Sequence, residues 1–287
     1  MNRNENVPQE PLPPIRGEAP PPGFEFGIEW FNPERAEMHI KKDSKYQRPV
    51  SKAYVKKYAR DMRNGKWTFN ASPVRFDGVD DHGQPRMIDG FHRMEALLLA
   101  NATIPFLVTY GIGMDSMRTM DTGRLRSLQQ MFALDGVSVA SVVAPAIVFL
   151  AAFLKNGSFS AEKSSNSEYF DVLYEHSDIK EIATKYDVLM PRNLPKGLVT
   201  CCHYLFAKRD PELAEYFCEA VVSGAGLERN APAYIFREWV NVDGENFTTG
   251  QIANALVDCW NKEVRGEKMT RIRLQKRCPV ILGPESD

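Results

Sequence analysis

The chain has 287 residues, 43% of them hydrophobic and 25% charged, which suits roughly two folded domains and excludes a disordered polymer. Thirty-six basic against 37 acidic side chains leave a net charge of −1, which excludes a uniformly basic coat for nucleic acid but not a local basic patch. Five cysteines (Cys201, Cys202, Cys218, Cys259, Cys278), odd in number and without C-x-x-C spacing, point to reduced thiols in a cytoplasmic protein rather than a disulfide framework.

Residues 1–23 hold seven of the 19 prolines and no apolar stretch of the kind a secretory leader needs, so an extended, disordered tail is expected there. Residues 24–50 mix aromatics with short charged runs and suit irregular structure or an edge strand. From Ser51 to Asn64 the pattern is that of an amphipathic helix. Tyr54, Tyr58 and Met62 recur every four residues beside Val55 and Ala59, Ser51 stands at the N-cap, and Gly65 stands where a left-handed C′ residue belongs. Val74 and Phe76 then alternate with polar neighbours as in a strand, and a turn-rich segment leads to a second short strand at Met87–Ile88. Asp89-Gly90 signals a turn, and the helix after it has Met94, Leu97 and Leu98 as its apolar face. Thr103 to Gly111 is β-rich. The order helix, strand, strand, helix, strand predicts an α+β domain over residues 24–136 with a small mixed sheet.

Beyond Asp115 the periodicity is helical: 115–135, 139–155, 168–188, 197–209, 211–223, 232–240 and 249–265. An all-helical region over 137–287 is therefore expected. Residues 136–154 form a run of 19 without a charge, but its alanines, Ser138, Ser141 and Pro145 favour a buried core helix over a membrane span. Cys201, Cys202 and His203 lie together, with Cys218 further on. Adjacent helical positions point about 100° apart and make no pincer, so core packing is preferred to zinc and no metal site is assigned. His39, His82 and His176 have no acid–base partner at an informative spacing. A Walker A loop, a nucleophilic serine elbow and a cluster of acids for two-metal cleavage are all missing from the sequence. Residues 180–194 begin like a helix-turn-helix, but Pro191 falls inside the would-be recognition helix.

The most informative segment is Met87-Ile88-Asp89-Gly90-Phe91-His92-Arg93, where a strand enters a glycine turn and a helix starts at once. Cations at a helix start oppose its partial positive potential, unless an anion sits in the turn. A phosphate held by the N–H groups, with Arg93 forked onto its oxygens, resolves that conflict. The alternative is that Asp89 caps the helix and Arg93 pairs with a nearby acid. A second cationic feature precedes it: residues 41–66 hold ten basic and two acidic side chains, a local charge of +8. Lys52, Lys56, Arg60 and Arg63 form one stripe along the helix, suited either to solvent or to an anionic partner. Near the C-terminus, Arg265, Lys268, Arg271, Arg273, Lys276 and Arg277 surround one acid, Glu267, and suit a phosphate-backbone arm or a solvated tail.

From Tyr46 to Gly123 the sequence resembles the ParB/sulfiredoxin superfamily. Tyr46-Gln47-Arg48-Pro49-Val50 is similar to that family's opening motif, and a matching helix follows it. Asp89-Gly90-Phe91-His92-Arg93 resembles its phosphate-binding motif, which reads Gly-Cys-His-Arg in sulfiredoxins, Gly-Glu-Arg-Arg in ParB and Asp-Gly-His-His-Arg in a free-serine kinase. Thr103 to Val108 resembles the strand that comes next. The nearest subgroup is the "DGQHR" type of phage and mobile-element proteins, which also carries a segment like Asp121-Thr122-Gly123-Arg124-Leu125-Arg126-Ser127.

The resemblance implies a ParB/sulfiredoxin-like domain that binds a nucleoside tri- or diphosphate (ATP, ADP or CTP) with Mg²⁺. Arg48, Gly90, Phe91, His92, Arg93, Asp121, Thr122, Gly123 and Arg124 would surround the phosphates, and Asp89, His92 and Arg93 would serve slow hydrolysis or phosphoryl transfer. Phage or mobile-element DNA metabolism in a bacterial cytosol is the implied setting. The alternative is a non-enzymatic DNA-binding module that uses Lys52, Lys56, Arg60 and Arg63 together with Arg271, Arg273, Lys276 and Arg277. A homodimer is a further expectation, and a membrane is not. Phe91 stands where sulfiredoxins need a nucleophilic cysteine, so sulfinic-acid reduction is not expected.

Overall fold

A computed structural model describes residues 23–43, 49–79, 85–113, 126–160, 164–187, 190–191, 193–225 and 227–284. The chain is α+β and divides into two units, Met1–Thr122 and Gly123–Asp287. The proline-rich segment of 1–22 lies outside the described residues, as do Arg48 and Asp121 to Arg124.

The first unit carries a four-stranded mixed sheet in the order β1-β4-β2-β3, from β1 (Glu25–Phe31), β2 (Val74–Val79), β3 (Pro85–Asp89) and β4 (Ile104–Tyr110). β1 runs antiparallel to β4, β2 antiparallel to β3, and β2 parallel to β4. Three helices accompany it: α1 (Pro33–Asp43), α2 (Lys52–Arg63) and α3 (Phe91–Ala100). Their shared core holds Phe31, Val55, Ala59, Met62, Val74, Phe76, Met87, Met94, Leu97, Phe106 and Val108. β1 fulfils the edge-strand expectation for residues 24–50, whereas α1 is a helix that the sequence pattern hides. α1 is started by Asn32, whose Oδ1 accepts the Arg35 N–H at 2.9 Å, and by Pro33 in the first turn. Its inward face is Ala36, His39 and Asp43, two of them polar, so apolar periodicity gives no signal.

Asp43 of that face and its neighbour Lys42 act at the sheet edge. The Asp43 carboxylate accepts the Met87 N–H at 3.0 Å, and Lys42 Nζ donates to the Pro85 carbonyl at 2.9 Å. The open side of β3 is thus closed by α1. At the end of α3, Arg63 Nη2 donates to the Leu99 carbonyl at 2.9 Å, satisfying one of the orphan acceptors there. On α3 itself, Ala96 joins Met94 and Leu97 on the buried face, while Leu98 of the expected apolar face is exposed.

Among its described residues the second unit has helices and no strand: α4 (Leu128–Leu134), α5 (Ala140–Asn156), α6 (Asn166–Glu175), α7 (Ile179–Lys185), α8 (Lys196–Ala207), α9 (Pro211–Ser223), α10 (Pro232–Asp243) and α11 (Thr249–Val264). The helix expected over 168–188 is two helices, α6 and α7, parted by a turn at 176–178. Phe132 of α4 is fully buried in this core, so α4 packs with the second unit rather than with a domain ending at 136. α5 carries Pro145 and buries Val142, Val143, Ala146, Ile147 and Leu150. No helix among the described residues is long and apolar enough to cross a membrane. α8 approaches α5 so closely that a Cβ on Gly197 would lie 2.7 Å from Pro145, which requires glycine there. Trp260 of α11 is fully buried, stacked on Phe206 at 4.5 Å with its Nε1–H donated to the Leu282 carbonyl.

Cys201, Cys202, Cys218 and Cys259 are buried in this core, and burial pushes their thiols far above the ordinary range. His203 is buried too, with Nδ1 2.6 Å from the Tyr186 hydroxyl. Its Nε2 lies 3.4 Å from a Glu215 oxygen, yet desolvation outweighs that carboxylate and holds its pKa down to about 4. These residues form a packed core rather than a ligand cluster.

Candidate functional site

The turn between β3 and α3 owes its shape to Gly90. Its φ of +118° suits glycine alone, and an added Cβ would lie 3.0 Å from Val74 Cγ1. β2 therefore passes directly behind the turn. Phe91, the next residue, is 7% exposed and anchors the helix start in the core, so only its backbone can face a ligand. α3 begins without any side-chain cap.

Asp89 and Arg93 meet at this turn, and they meet each other. Arg93 Nη2 lies 3.1 Å from Asp89 Oδ2, while its guanidinium also donates to the carbonyls of Ser72 at 2.6 Å and Pro73 at 2.7 Å. The same Asp89 oxygen receives Arg75 Nη1 at 2.6 Å. One carboxylate oxygen is thus clamped between two guanidinium groups. The arrangement matches one half of the alternative, the pairing of Arg93 with a nearby acid, but not the other, since Asp89 makes no cap to α3; it makes Arg93 a brace between α3 and the segment entering β2. Arg75 is the residue that motif reasoning misses. Its signal is cross-strand: β2 and β3 pair Arg75 directly opposite Asp89.

His92 points elsewhere. Its Nε2 accepts the Ser51 N–H at 3.0 Å, which places the ring proton on Nδ1, and its ring meets Tyr54 edge-on at 6.5 Å. Ser51 is the N-cap residue of α2, and its hydroxyl makes no capping bond. The bond from Ser51 to His92 therefore stitches the start of α2 to the start of α3, and both starts lack a side-chain cap. Lys52 and Lys56, on the exposed side of α2, pair with no acid among the described residues. Arg60 is half-buried and Arg63 is turned onto Leu99, so the expected four-residue stripe is divided.

Magnesium does not fit these side chains as a protein-held ion. Asp89, the carboxylate at the turn, is occupied by two cations, and no group of three His, Cys, Asp or Glu side chains among the described residues could hold a metal.

The basic C-terminal segment lies in the second unit, as an irregular strap after α11. The backbone N–H of Met269 bonds to the Asn230 carbonyl at 2.9 Å, and Asn261 Nδ2 to the Val280 carbonyl at 2.8 Å. Lys268 pairs with Glu228 at 2.6 Å, and Arg265 with Glu267 at 3.8 Å. Arg271, Arg273, Lys276 and Arg277 are exposed and pair with no acid among the described residues. Across known proteins, no family model, no curated sequence and no solved structure matches this chain.

Proposed function

We propose that the first unit is a phosphate-binding module of ParB/sulfiredoxin type, with a nucleoside di- or triphosphate as its ligand. The observation that carries this is the Ser51–His92 hydrogen bond, which brings together two helix starts that have no side-chain caps. Each start is a helix N-terminus with a partial positive potential, and Lys52 adds a full charge beside them. An anion at that junction would offset Lys52, which stands at the head of α2 against that helix's own positive potential. His92 and Ser51 would flank the anion, Gly90 and Phe91 would contribute backbone, and Arg93 holds the turn against β2 through Asp89. Arg48, Asp121, Thr122, Gly123 and Arg124 remain expected contributors from outside the described residues.

The reading is one of binding first. A general base must be free to take a proton, and Asp89 carries two guanidinium groups on one oxygen. Any hydrolysis or phosphoryl transfer in phage or mobile-element DNA metabolism would rest on positioning rather than on Asp89. Thermal melting with ATP, ADP, CTP and GTP, with and without Mg²⁺, tests the proposal. A ligand at 100 times its Kd adds about 2.7 kcal/mol of stability. Lys52→Glu should abolish the shift, and the absence of any shift for all four nucleotides in the wild-type chain would end the proposal.

A second reading is supported by the strap. Arg271, Arg273, Lys276 and Arg277 project from a segment pinned at both ends, and such cations suit a nucleic-acid backbone. Replacing all four by alanine should reduce the slope of log K against log salt by up to about 4 in DNA binding. An unchanged slope would refute it.

A further inference from the structure

The two edges of the sheet in the first unit are treated differently by the chain. The outer side of β3 is closed by Lys42 and Asp43 of α1. The outer side of β1 is not: among the described residues no strand or helix backbone pairs with it. Along β1, Phe26, Ile28 and Trp30 occupy alternate positions and are 72%, 64% and 64% exposed. Three large apolar side chains therefore stand in one row beside an open edge.

The register states which backbone groups are open. Trp30 lies opposite Pro105, which has no N–H, so that position is a non-hydrogen-bonded pair. The hydrogen-bonded pairs with β4 are then Gly27–Val108, Glu29–Phe106 and the positions in step with them. The N–H and C=O groups of Phe26, Ile28 and Trp30 consequently point away from β4. In agreement, the Trp30 carbonyl accepts Arg35 Nη1 at 3.2 Å from outside the sheet, leaving its second lone pair.

We propose that β1 pairs with β1 of a second copy of this chain, antiparallel and centred on Ile28, to form a two-fold dimer with a continuous eight-stranded sheet. This goes beyond phosphate binding and does not depend on it. Centring on Ile28 sets Ile28 against Ile28 of the other copy and Phe26 against Trp30 at both ends. Every outward-pointing backbone group of the strand meets another, and the apolar row becomes a set of cross-strand aromatic pairs. The charges agree as well. Glu25 falls opposite Phe31, and Glu29 opposite Gly27, so no like charges face each other. The diagonal neighbours of Glu29 are Glu29 and Glu25 of the other copy, and the Glu29 charge is already paired within each copy, where it meets Arg35 and accepts the Tyr110 hydroxyl at 2.8 Å. A parallel, in-register pairing would instead place Glu25 and Glu29 each against its own copy.

Sedimentation velocity of the full chain, over a dilution series in the micromolar range, tests this. The wild-type chain is expected at twice its 32.5 kDa mass. Ile28→Pro removes an N–H that faces away from β4, so it leaves the fold in place and blocks the pairing. Ile28→Lys keeps the backbone and sets two like charges at the two-fold axis, as an independent variant if proline perturbs folding. Each should weaken self-association by at least about tenfold, equivalent to a loss of roughly 1.4 kcal/mol, with circular dichroism unchanged. A monomeric wild-type chain across the series would overturn the proposal, and so would a dimer indifferent to both substitutions.

Discussion

Replacing Arg93 by alanine separates a brace from a ligand-binding group. Its side chain is 12% exposed, and its contacts include the Ser72 and Pro73 carbonyls at 2.6 and 2.7 Å and Asp89 at 3.1 Å. Hydrogen bonds involving a charged partner are worth about 1.5–3 kcal/mol each when buried. The Ser72 carbonyl lies in an exposed segment and water replaces its donor, so that bond counts for little. The Pro73 carbonyl is half-buried and loses its partner outright. Asp89 keeps Arg75 at 2.6 Å, so no carboxylate is left uncompensated, which removes the largest penalty. The sum is a loss of about 3 kcal/mol from the first unit for Arg93→Ala. Arg93→Lys falls between the two, since an ammonium cannot span both carbonyls and the carboxylate. Urea unfolding followed by tryptophan fluorescence reads this, with Trp67 reporting on the first unit through its contacts with Tyr58 and Phe106. Nucleotide titration of the same variants, under conditions where they remain folded, should show weakened rather than abolished binding. A variant within about 0.5 kcal/mol of wild type that had lost all nucleotide affinity would refute the brace and return Arg93 to the phosphates.

Three further outcomes follow from the geometry. Gly90→Ala combines a φ of +118° with a Cβ 3.0 Å from Val74, and should cost about 1–3 kcal/mol in the same unfolding assay. Burial holds the His203 pKa at about 4 against an unfolded value of 6.5, so its contribution is complete above pH 6.5 and is lost as pH falls toward 4. That loss amounts to about 3 kcal/mol, and His203→Gln should flatten the pH dependence of stability in that window by a comparable amount. Thiol labelling of the native chain should reach Cys278 slowly, since it is half-buried with its pKa pushed up to about 11. The other four, fully buried, should label only in denaturant, and rapid native labelling of any of them would contradict the packing.

Much of the first unit is legible because its elements carry their own signals. The recurrence of Tyr54, Tyr58 and Met62 beside Val55 and Ala59, with Gly65 beyond them, marks α2, although the buried face is Val55, Ala59 and Met62 and Tyr54 is exposed; the alternation at Val74 and Phe76 marks β2. α1 is not legible because its inward positions include His39 and Asp43, and Asp43 bonds to a strand edge that the sequence does not reveal. Leu98 misleads because α3 buries a narrower face than its composition suggests. At the site, the motif marks the turn correctly as the junction of strand and helix. It does not disclose partners far away in the chain, such as Ser51 for His92, or Ser72, Pro73 and Arg75 around Asp89 and Arg93. A local string carries the positions of charges; which of them face each other is decided by strand register and helix placement.

The guard that α1 sets over β3 has a consequence for how large an assembly can become. A sheet with both margins open can recruit neighbours without end, which is how fibrils elongate. Here Asp43 already occupies the Met87 donor and Lys42 the Pro85 acceptor, so recruitment at that margin would first have to displace them. Growth by strand addition is thereby limited to a single side, and one pairing event exhausts it.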